Sequence, residues 1–512
     1  MLFGVDGNYL LQIFHKKQIL TIFVIVMKAF SGNLTNRNAK IPMAMVVVPF
    51  AMGIFFADAV QAPIWLIIVA GIVSLAGAIT LSKWWQQLAL CSIIFVVGSL
   101  IHSVSYREDV VYGKPLEMVL KMNTSSAERT GYTSAEATIE GYAEPLHTSR
   151  KVVVWGDSLT KFRAGDRLRL TTSIRPFRAE REPYARLMHH RGFVGSISIN
   201  RNTLYEYLPA ENSTLHDWAV ERLRGAIPKG DVRAVILAMV TGERSEVSAE
   251  LRQGYSASGA SHLLAVSGLH IGIAFMLVNI LLLPLVLLPY GNVVRSVMAI
   301  TLIWLYVWLC GMSPSAVRAA IMFSMLQFSL SSLREYASIN ILAGTAFIML
   351  AFDSHLLFDI SFQLSFIAVT GIILWALPLY RLCATPFKAI NILLGVLLVG
   401  FASTLATMPL VANTFSTISL IGIAVNPIVI LLANIVVLAG VIALALPFIA
   451  PIAEFTTEWQ NRIIEWASSL PYGHFDIHIS DTAMWSIYAL FITGTLLLWL
   501  LPKRKKEPKI EG

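Results

Sequence analysis

The sequence predicts a polytopic α-helical membrane protein that carries one small extracytoplasmic β-barrel domain. Three observations carry this. Of 512 residues, 56% are hydrophobic and only 14% charged, against roughly 25% charged in ordinary soluble domains. Apolar runs of about 20 residues, the length that crosses a hydrocarbon core, recur along the chain. Between two apolar blocks lies a polar stretch, 106–230, whose short alternating segments read as strands.

Residues 1–40 read as an extension ahead of the fold. Lys16 and Lys17 precede a short apolar run, Ile19–Met27, like the hydrophobic part of a signal peptide, but no small-residue cleavage site follows. Residues 41–105 hold three expected spans, at 42–60, 62–81 and 86–104. Within 106–230, Ala135–Tyr142, Lys151–Trp155, Arg167–Thr171 and Val194–Ile199 alternate in polarity, and Ala164-Gly165-Asp166 punctuates them as a turn. Short strands at this spacing suit a small barrel, the OB-fold being one form. Residues 231–502 supply further spans near 263–288, 294–311, 315–332, 336–352, 361–379, 390–411, 427–448 and 483–501. A basic tail, 503–512, follows. Of the cysteines Cys91, Cys310 and Cys383, none falls in 106–230, so that domain is expected to hold no internal disulfide.

The net charge of +8 is uneven: Arg150–Arg201 holds twelve Lys or Arg and four acids, which matches the excess of the whole chain. Such a segment suits nucleic acid or anionic headgroups as readily as a solvated surface. Lys503, Arg504, Lys505 and Lys506 place the C-terminus in the cytoplasm, with Lys83, Arg295, Arg334, Arg381 and Lys388 on the same side. Asp353, Asp359, Glu454, Glu458 and Asp476 fall opposite, so 106–230 lies outside the cytoplasm. The count of crossings closes if Phe415–Val425 is a re-entrant half-helix broken at Asn426-Pro427. Such backbone is tolerated at membrane depth only inside protein or along a wet cavity, which makes 415–427 an expected pore element.

The most specific string is Ser261-His262-Leu263-Leu264-Ala265-Val266-Ser267-Gly268-Leu269-His270-Ile271-Gly272, after the small polar run Gly254–Gly259. Gly268 and Gly272 form a GxxxG pair that admits a close neighbour helix. On one helix, Ser267 and His270 would share a face; a packing role accounts for these residue types, and so does a catalytic pair. This string is similar to the hallmark stretch of the ComEC family of DNA-uptake proteins. Three further stretches resemble the same competence domain in order: Gly311-Met312-Ser313-Pro314-Ser315-Ala316-Val317-Arg318-Ala319-Ala320, then Phe362-Gln363-Leu364-Ser365-Phe366, then Ser416–Leu420 with Asn426-Pro427. Residues 134–200 resemble the family's OB-like domain, and the likeness covers about 41–500.

The resemblance implies a multi-pass channel in the cytoplasmic membrane that passes one strand of DNA during natural transformation. Its partners would be single-stranded DNA, membrane lipid and other competence proteins, including a separate nuclease or a DNA-pulling motor. Many members add a metallo-β-lactamase-like domain. Its His-x-His-x-Asp-His string does not occur here, and neither His189-His190 nor His474 with His478 replaces it, so no nuclease, metal or cofactor is expected.

For passage of a polyanion, Arg163, Arg167, Arg169, Arg175 and Arg178 interleave with Trp155, Phe162, Phe177 and Tyr184, the pairing of basic groove and stacking platform that binds single strands. A barrel core with a solvated basic face gives the same pattern. Arg318 sits one turn into a helix opened by Ser313 as cap and Pro314 as first residue. An arginine at membrane depth needs a partner or a wet cavity; Asp353 and Asp359 are the expected partners, and snorkelling is the alternative. Gln363 and Asn426 are polar at apolar depth, able to bond across helices or to line a path. The tract 453–470 reads as an amphipathic interfacial anchor. Two other function classes fit less: an intramembrane hydrolase with Ser267 as nucleophile and His270 as base, which lacks an identifiable third group, and a small-solute secondary transporter, which would often show hydropathy repeats.

Overall fold

The computed structural model describes residues 43–60, 63–80, 83–106, 112–123, 127–129, 132–142, 150–156, 162, 165–177, 188, 191–200, 203–208, 214–331, 338–415, 417–419, 421–470, 474–477 and 479–500. The extension 1–40 and the tail 503–512 lie outside them. The protein is mostly helical, a membrane protein with a separate small sheet domain. Five helical stretches among the described residues are long and apolar enough to cross a membrane: Trp85–Val104, Gly291–Leu309, Ile360–Cys383, Ile390–Phe415 and Ala424–Ala445. Met45–Val60, Ile64–Thr80, Gly268–Leu281 and Ser338–Phe352 are apolar but shorter.

The chain forms two compact units, one of residues up to Gly225 with Thr241–Glu246 and Gly268–Gln363, the other of Ala226–Val240, Val247–Ser267 and the residues from Leu364 onward. The first unit opens with α1 (Ala44–Val60), α2 (Ile64–Thr80) and α3 (Lys83–Tyr106). Glycines set the α1/α3 crossing: a Cβ on Gly98 would clash with Phe50 backbone and one on Gly53 with Phe95 backbone. Ser99 Oγ then reaches Gly53 O at 2.8 Å. Small residues serve this purpose in membranes, where burial from lipid drives little and close packing drives more.

The sheet domain follows: β1 (Leu116–Met122), β2 (Ala127–Arg129), β3 (Tyr132–Tyr142), β4 (Arg150–Gly156), β5 (Arg167–Thr172), β6 (Phe193–Ile199) and β7 (Tyr205–Leu208). The strands pair in the order β6-β4-β3-β1-β5-β7, with β2 on β3. All pairs are antiparallel except β4 with β6. One antiparallel bridge, Arg175 with Ser196, reaches from the segment after β5 to β6. Alternation does the sorting: Met118, Leu120 and Met122 point inward with Ala135, Ala137, Ile139, Val152, Val154, Leu168, Leu170, Ile197 and Ile199, as period-two side chains must. Four of the strands coincide with the segments predicted from alternation; β1, β2 and β7 were not predicted.

Helices α4 (Leu215–Ala226), α5 (Asp231–Val240) and α6 (Ala249–Ala257) lead to a three-ten turn, Ser261–Leu264. Then come α7 (Gly268–Leu281), α8 (Gly291–Leu309), α9 (Pro314–Ser331), α10 (Ser338–Phe352) and a second such turn, Ser354–Phe358. Next are α11 (Ile360–Gly371), a π-turn at Ile372–Ala376, α12 (Leu377–Cys383) and α13 (Lys388–Phe415). The remainder is β8 (Thr417–Ser419), α14 (Ile421–Ala445), α15 (Ala450–Ser469), β9 (His474–Asp476) and α16 (Asp481–Leu500).

The structure corrects the expected pore element. Residues 415–427 are not a half-helix ending at Asn426-Pro427. Helix α13 runs to Phe415, β8 pairs with β9, and α14 starts at Ile421 with Pro427 inside it. A proline removes one backbone bond and crowds the carbonyl four residues earlier, and here that carbonyl lies in the first turn of α14. The expected interfacial helix is α15. It buries Ala453, Thr457, Gln460, Ile464 and Ala467 and exposes Phe455, Trp459 and Trp466, the two-faced pattern of an amphipathic helix.

Candidate functional site

The hallmark string is not one helix. Its Ser261–Leu264 part is three-ten, Ala265 is extended at φ −138° and ψ 150°, and α7 begins only at Gly268. Three-ten runs are short because their side chains eclipse and their hydrogen bonds are poor. His262 therefore sits in the turn, and Ser267 precedes the helix that carries His270. Ser267 thus stands at the cap position of α7, with His270 three residues on in its first turn.

In the first unit, α7 packs on α9 through the predicted glycines. A Cβ on Gly268 would meet Ala319 Cβ at 3.7 Å, ordinary contact, and one on Gly272 would meet Phe323 Cζ at 3.0 Å. Phe275 stacks on Phe323 at 4.8 Å. His270, in the first turn of α7, is fully buried.

The start of α9 is set by a tight reversal. Gly311 (φ 65°) and Met312 (φ 54°) are both left-handed, and Met312 N donates to Val307 O at 3.0 Å, closing α8 as a Schellman turn. Pro314 is the first residue of α9, as expected. The Ser313 hydroxyl, however, is buried without a partner among the described residues, so it does not cap.

Arg318, on the second turn of α9, is 3% exposed. Its Nη2 donates to Ser361 Oγ at 3.0 Å, while Nε and Nη1 find no partner among the described residues. Of the two expected acids, Asp359 is the one whose charge acts on it; Asp353 instead faces Lys151 Nζ at 3.6 Å. Asp359 caps α11, accepting from Phe362 N at 3.0 Å. A guanidinium whose N–H groups go unsatisfied in a protein interior costs several kcal/mol by order of magnitude, so Arg318 is a costly group at this position. Gln363, one turn beyond, spends its Nε2 on Leu357 O at 2.9 Å. That bond satisfies a carbonyl of the preceding three-ten turn and crosses to no other helix, which corrects the interhelical expectation.

In the second unit, the run ahead of the hallmark string meets the first turn of α14. Gly259 takes φ 77°, and a Cβ on it would stand 3.0 Å from Ser419; Ser419 Oγ donates to Ala257 O at 2.9 Å. A Cβ on Gly422 would meet Ser258 O at 3.1 Å and Asn426 Nδ2 at 3.3 Å. Asn426 thus borders this crossing, its Oδ1 buried with no partner among the described residues. Pro427 follows inside α14.

Two of the five predicted DNA-binding arginines of the sheet domain are engaged in ion pairs. Arg167 Nε pairs with Glu140 Oε2 at 2.9 Å, and Arg169 Nη1 with Glu206 Oε2 at 3.2 Å. Arg175 is exposed. Arg163, Arg178 and Tyr184 lie outside the described residues. Of the expected aromatic platform, Phe162 is instead in the sheet core, while Trp155 and Phe177 are partly buried against Val153, Met188 and Phe193. The exposed rings are Tyr112, Tyr205 and Tyr207; Tyr205-Glu206-Tyr207 was the available signal, an alternating edge segment beside the basic β5. No cluster of three metal-binding side chains occurs among the described residues.

A family model described as "Competence protein" matches residues 239–504. The ComE operon protein 3 of Bacillus subtilis (strain 168) is 28% identical over 54% of this chain and 35% of its own length. An uncharacterized protein of Aquifex aeolicus (strain VF5) is 28% identical over 54% of this chain and 65% of its own. The uncharacterized protein YcaI of Escherichia coli (strain K12) is 26% identical over 52% and 36%. The chain thus spans about a third of two of these relatives and just under two thirds of the other. No solved structure matches.

Proposed function

The chain belongs to the competence-protein family, and from that premise we propose that it passes single-stranded DNA across the cytoplasmic membrane during natural transformation. The carrying observation is Arg318: a buried cation with one hydroxyl partner and, among the described residues, no partner for its Nε and Nη1, beside the glycine-packed α7. A conduit needs contacts firm enough to admit a phosphate and weak enough to release it, and one arginine suits that better than a dense basic cluster. His270 and the glycines of α7 frame this path in our reading.

In the same reading the protein is multi-pass in the inner membrane, with the sheet domain, 106–230, outside the cytoplasm and the channel domain over 231–502. The parallel β4/β6 pair and the Arg175–Ser196 bridge support an OB-like barrel that meets the strand first, on β5 and β7. A separate nuclease or a DNA-pulling motor completes uptake, and this chain itself is not an enzyme. Deleting the gene from a competent strain tests this. Internalised DNA is expected to vanish while surface-bound DNA persists, and unchanged internalisation refutes the proposal. Ser267→Ala separates it from a hydrolase: a channel keeps most uptake, whereas a serine enzyme loses everything.

A further inference from the structure

The segment Asp353–Gln363 meets the sheet domain at one side and Arg318 at the other, all within the first unit. Lys151 of β4 faces Asp353. Arg191, in the turn before β6, sets Nη2 3.1 Å from Glu136 Oε1 and Nε 3.5 Å from Asp359 Oδ2. Gly192, at φ 79°, passes close enough that a Cβ would stand 3.3 Å from His355 Cδ2. From α3, His102 Nδ1 lies 3.0 Å from Ser354 Oγ and its Nε2 3.5 Å from Asp58, which pins the same segment. Its far end gives the Ser361 hydroxyl to Arg318.

Asp359 therefore stands between two guanidiniums. Its Oδ1 is held by the Phe362 N–H as a helix cap, and its Oδ2 faces Arg191. Arg318 makes no ion pair among the described residues, yet feels the Asp359 charge. One carboxylate cannot neutralise both cations at contact distance.

We propose that Asp359 decides whether Arg318 is open to a phosphate. While Arg191 of the sheet domain holds the carboxylate, Arg318 stays available; when Arg191 withdraws, Asp359 turns to Arg318 and closes the site. The seating of the sheet domain is thereby coupled to the anion contact in the helices. This rests on the reading of Arg318 as a DNA contact.

The test uses full-length protein in lipid nanodiscs and a fluorescent oligothymidylate, with uptake in cells as second readout. Arg191→Gln is expected to weaken binding by at least about fivefold, the lower end of coupling between linked sites, and Arg191→Lys to retain most of it. Asp359→Asn keeps a good helix cap while removing the charge, so it folds and binds more tightly than the parent. In the Arg191→Gln/Asp359→Asn double variant the defect disappears. Glu136→Gln, which leaves Asp359 as the acid facing Arg191, does not weaken binding. If Arg191→Gln is equally harmful with and without Asp359→Asn, or if Asp359→Asn weakens binding, the coupling is refuted. If Arg318→Gln leaves oligothymidylate binding unchanged, the DNA-contact reading falls and this proposal with it. Weakened binding in Arg318→Gln without rescue in the double variant removes the coupling alone.

Discussion

Arginines serve opposite ends of the energy scale in the sheet domain and in the helical part of the first unit. Arg169 on β5 is 51% exposed at its side chain and pairs with an equally exposed Glu206. Such pairs contribute about 0–1 kcal/mol, because water screens them and two long side chains must be ordered. Arg318 is buried, has one hydroxyl for company and, among the described residues, leaves two donors unpaired. A site of that kind lowers stability, and folded proteins retain such groups chiefly where function requires them. The contrast teaches that the count of arginines points to the sheet domain, whereas the cost per arginine points to the helices.

The largest effect is expected at Arg318. Replacing it with Met fills a similar volume and removes the buried charge, so thermal stability should hold or rise, by roughly 1–4 kcal/mol in comparable replacements of buried ionic groups. DNA internalisation should nevertheless collapse. A variant that is both less stable and fully active would break the comparison, because Arg318 would then be a structural residue.

Next in size is the α7/α9 contact that holds Arg318 in place. Leucine at Gly272 must displace Phe323, which already stands at 3.0 Å from the added Cβ; overpacking of this kind costs about 1–3 kcal/mol. Alanine at Gly268, with its neighbour at 3.7 Å, should be tolerated. Melting of detergent-solubilised protein checks both, and equal sensitivity at the two glycines would show that the helices do not meet as described.

The second unit offers a smaller, purely structural counterpart. Tyr255 is fully buried, donates to Asn461 Oδ1 at 2.7 Å and accepts from Gln460 Nε2 at 2.9 Å; burial pushes its phenol well above the ordinary range. Tyr255→Phe leaves buried partners unmet and should cost about 1–3 kcal/mol, without altering DNA uptake beyond the loss of folded protein. An uptake defect in excess of that loss would give this cluster a functional part of its own.

What the sequence disclosed follows from what is periodic or covalently local. Alternation located β3, β4, β5 and β6, and long apolar runs located the helices, since both patterns repeat within a few residues. The GxxxG spacing and the Pro314 start were legible for the same reason. Non-local facts were not. That Arg167 and Arg169 meet Glu140 and Glu206 depends on strand register, and that Arg318 meets Ser361 depends on how α9 and α11 approach. The break between Ser261–Leu264 and α7 escaped because Ala265 and Val266 carry no turn signal. Pro427 misled because a helix break and a proline near a helix start look alike in sequence.

The smallest expected effect concerns the exposed arginines, and it sharpens the comparison from the other side. If Arg169 is committed to Glu206, then Arg169→Gln removes a phosphate contact that was already partly neutralised, and binding of oligothymidylate by full-length protein should fall only slightly. Its salt dependence should flatten by less than the unit slope expected for one whole phosphate contact. Glu206→Gln should act in the opposite direction, freeing Arg169 beside the exposed Tyr205 and Tyr207 and tightening binding about twofold to threefold, a few tenths of a kcal/mol. Titrations at two salt concentrations measure both variants. Tighter binding in Glu206→Gln would place the strand on the β5/β7 face and show that the acids there tune a basic surface. No change in either variant would assign this face a solvated role and shift the search for DNA contacts to Arg175, exposed after β5, and the buried Arg318.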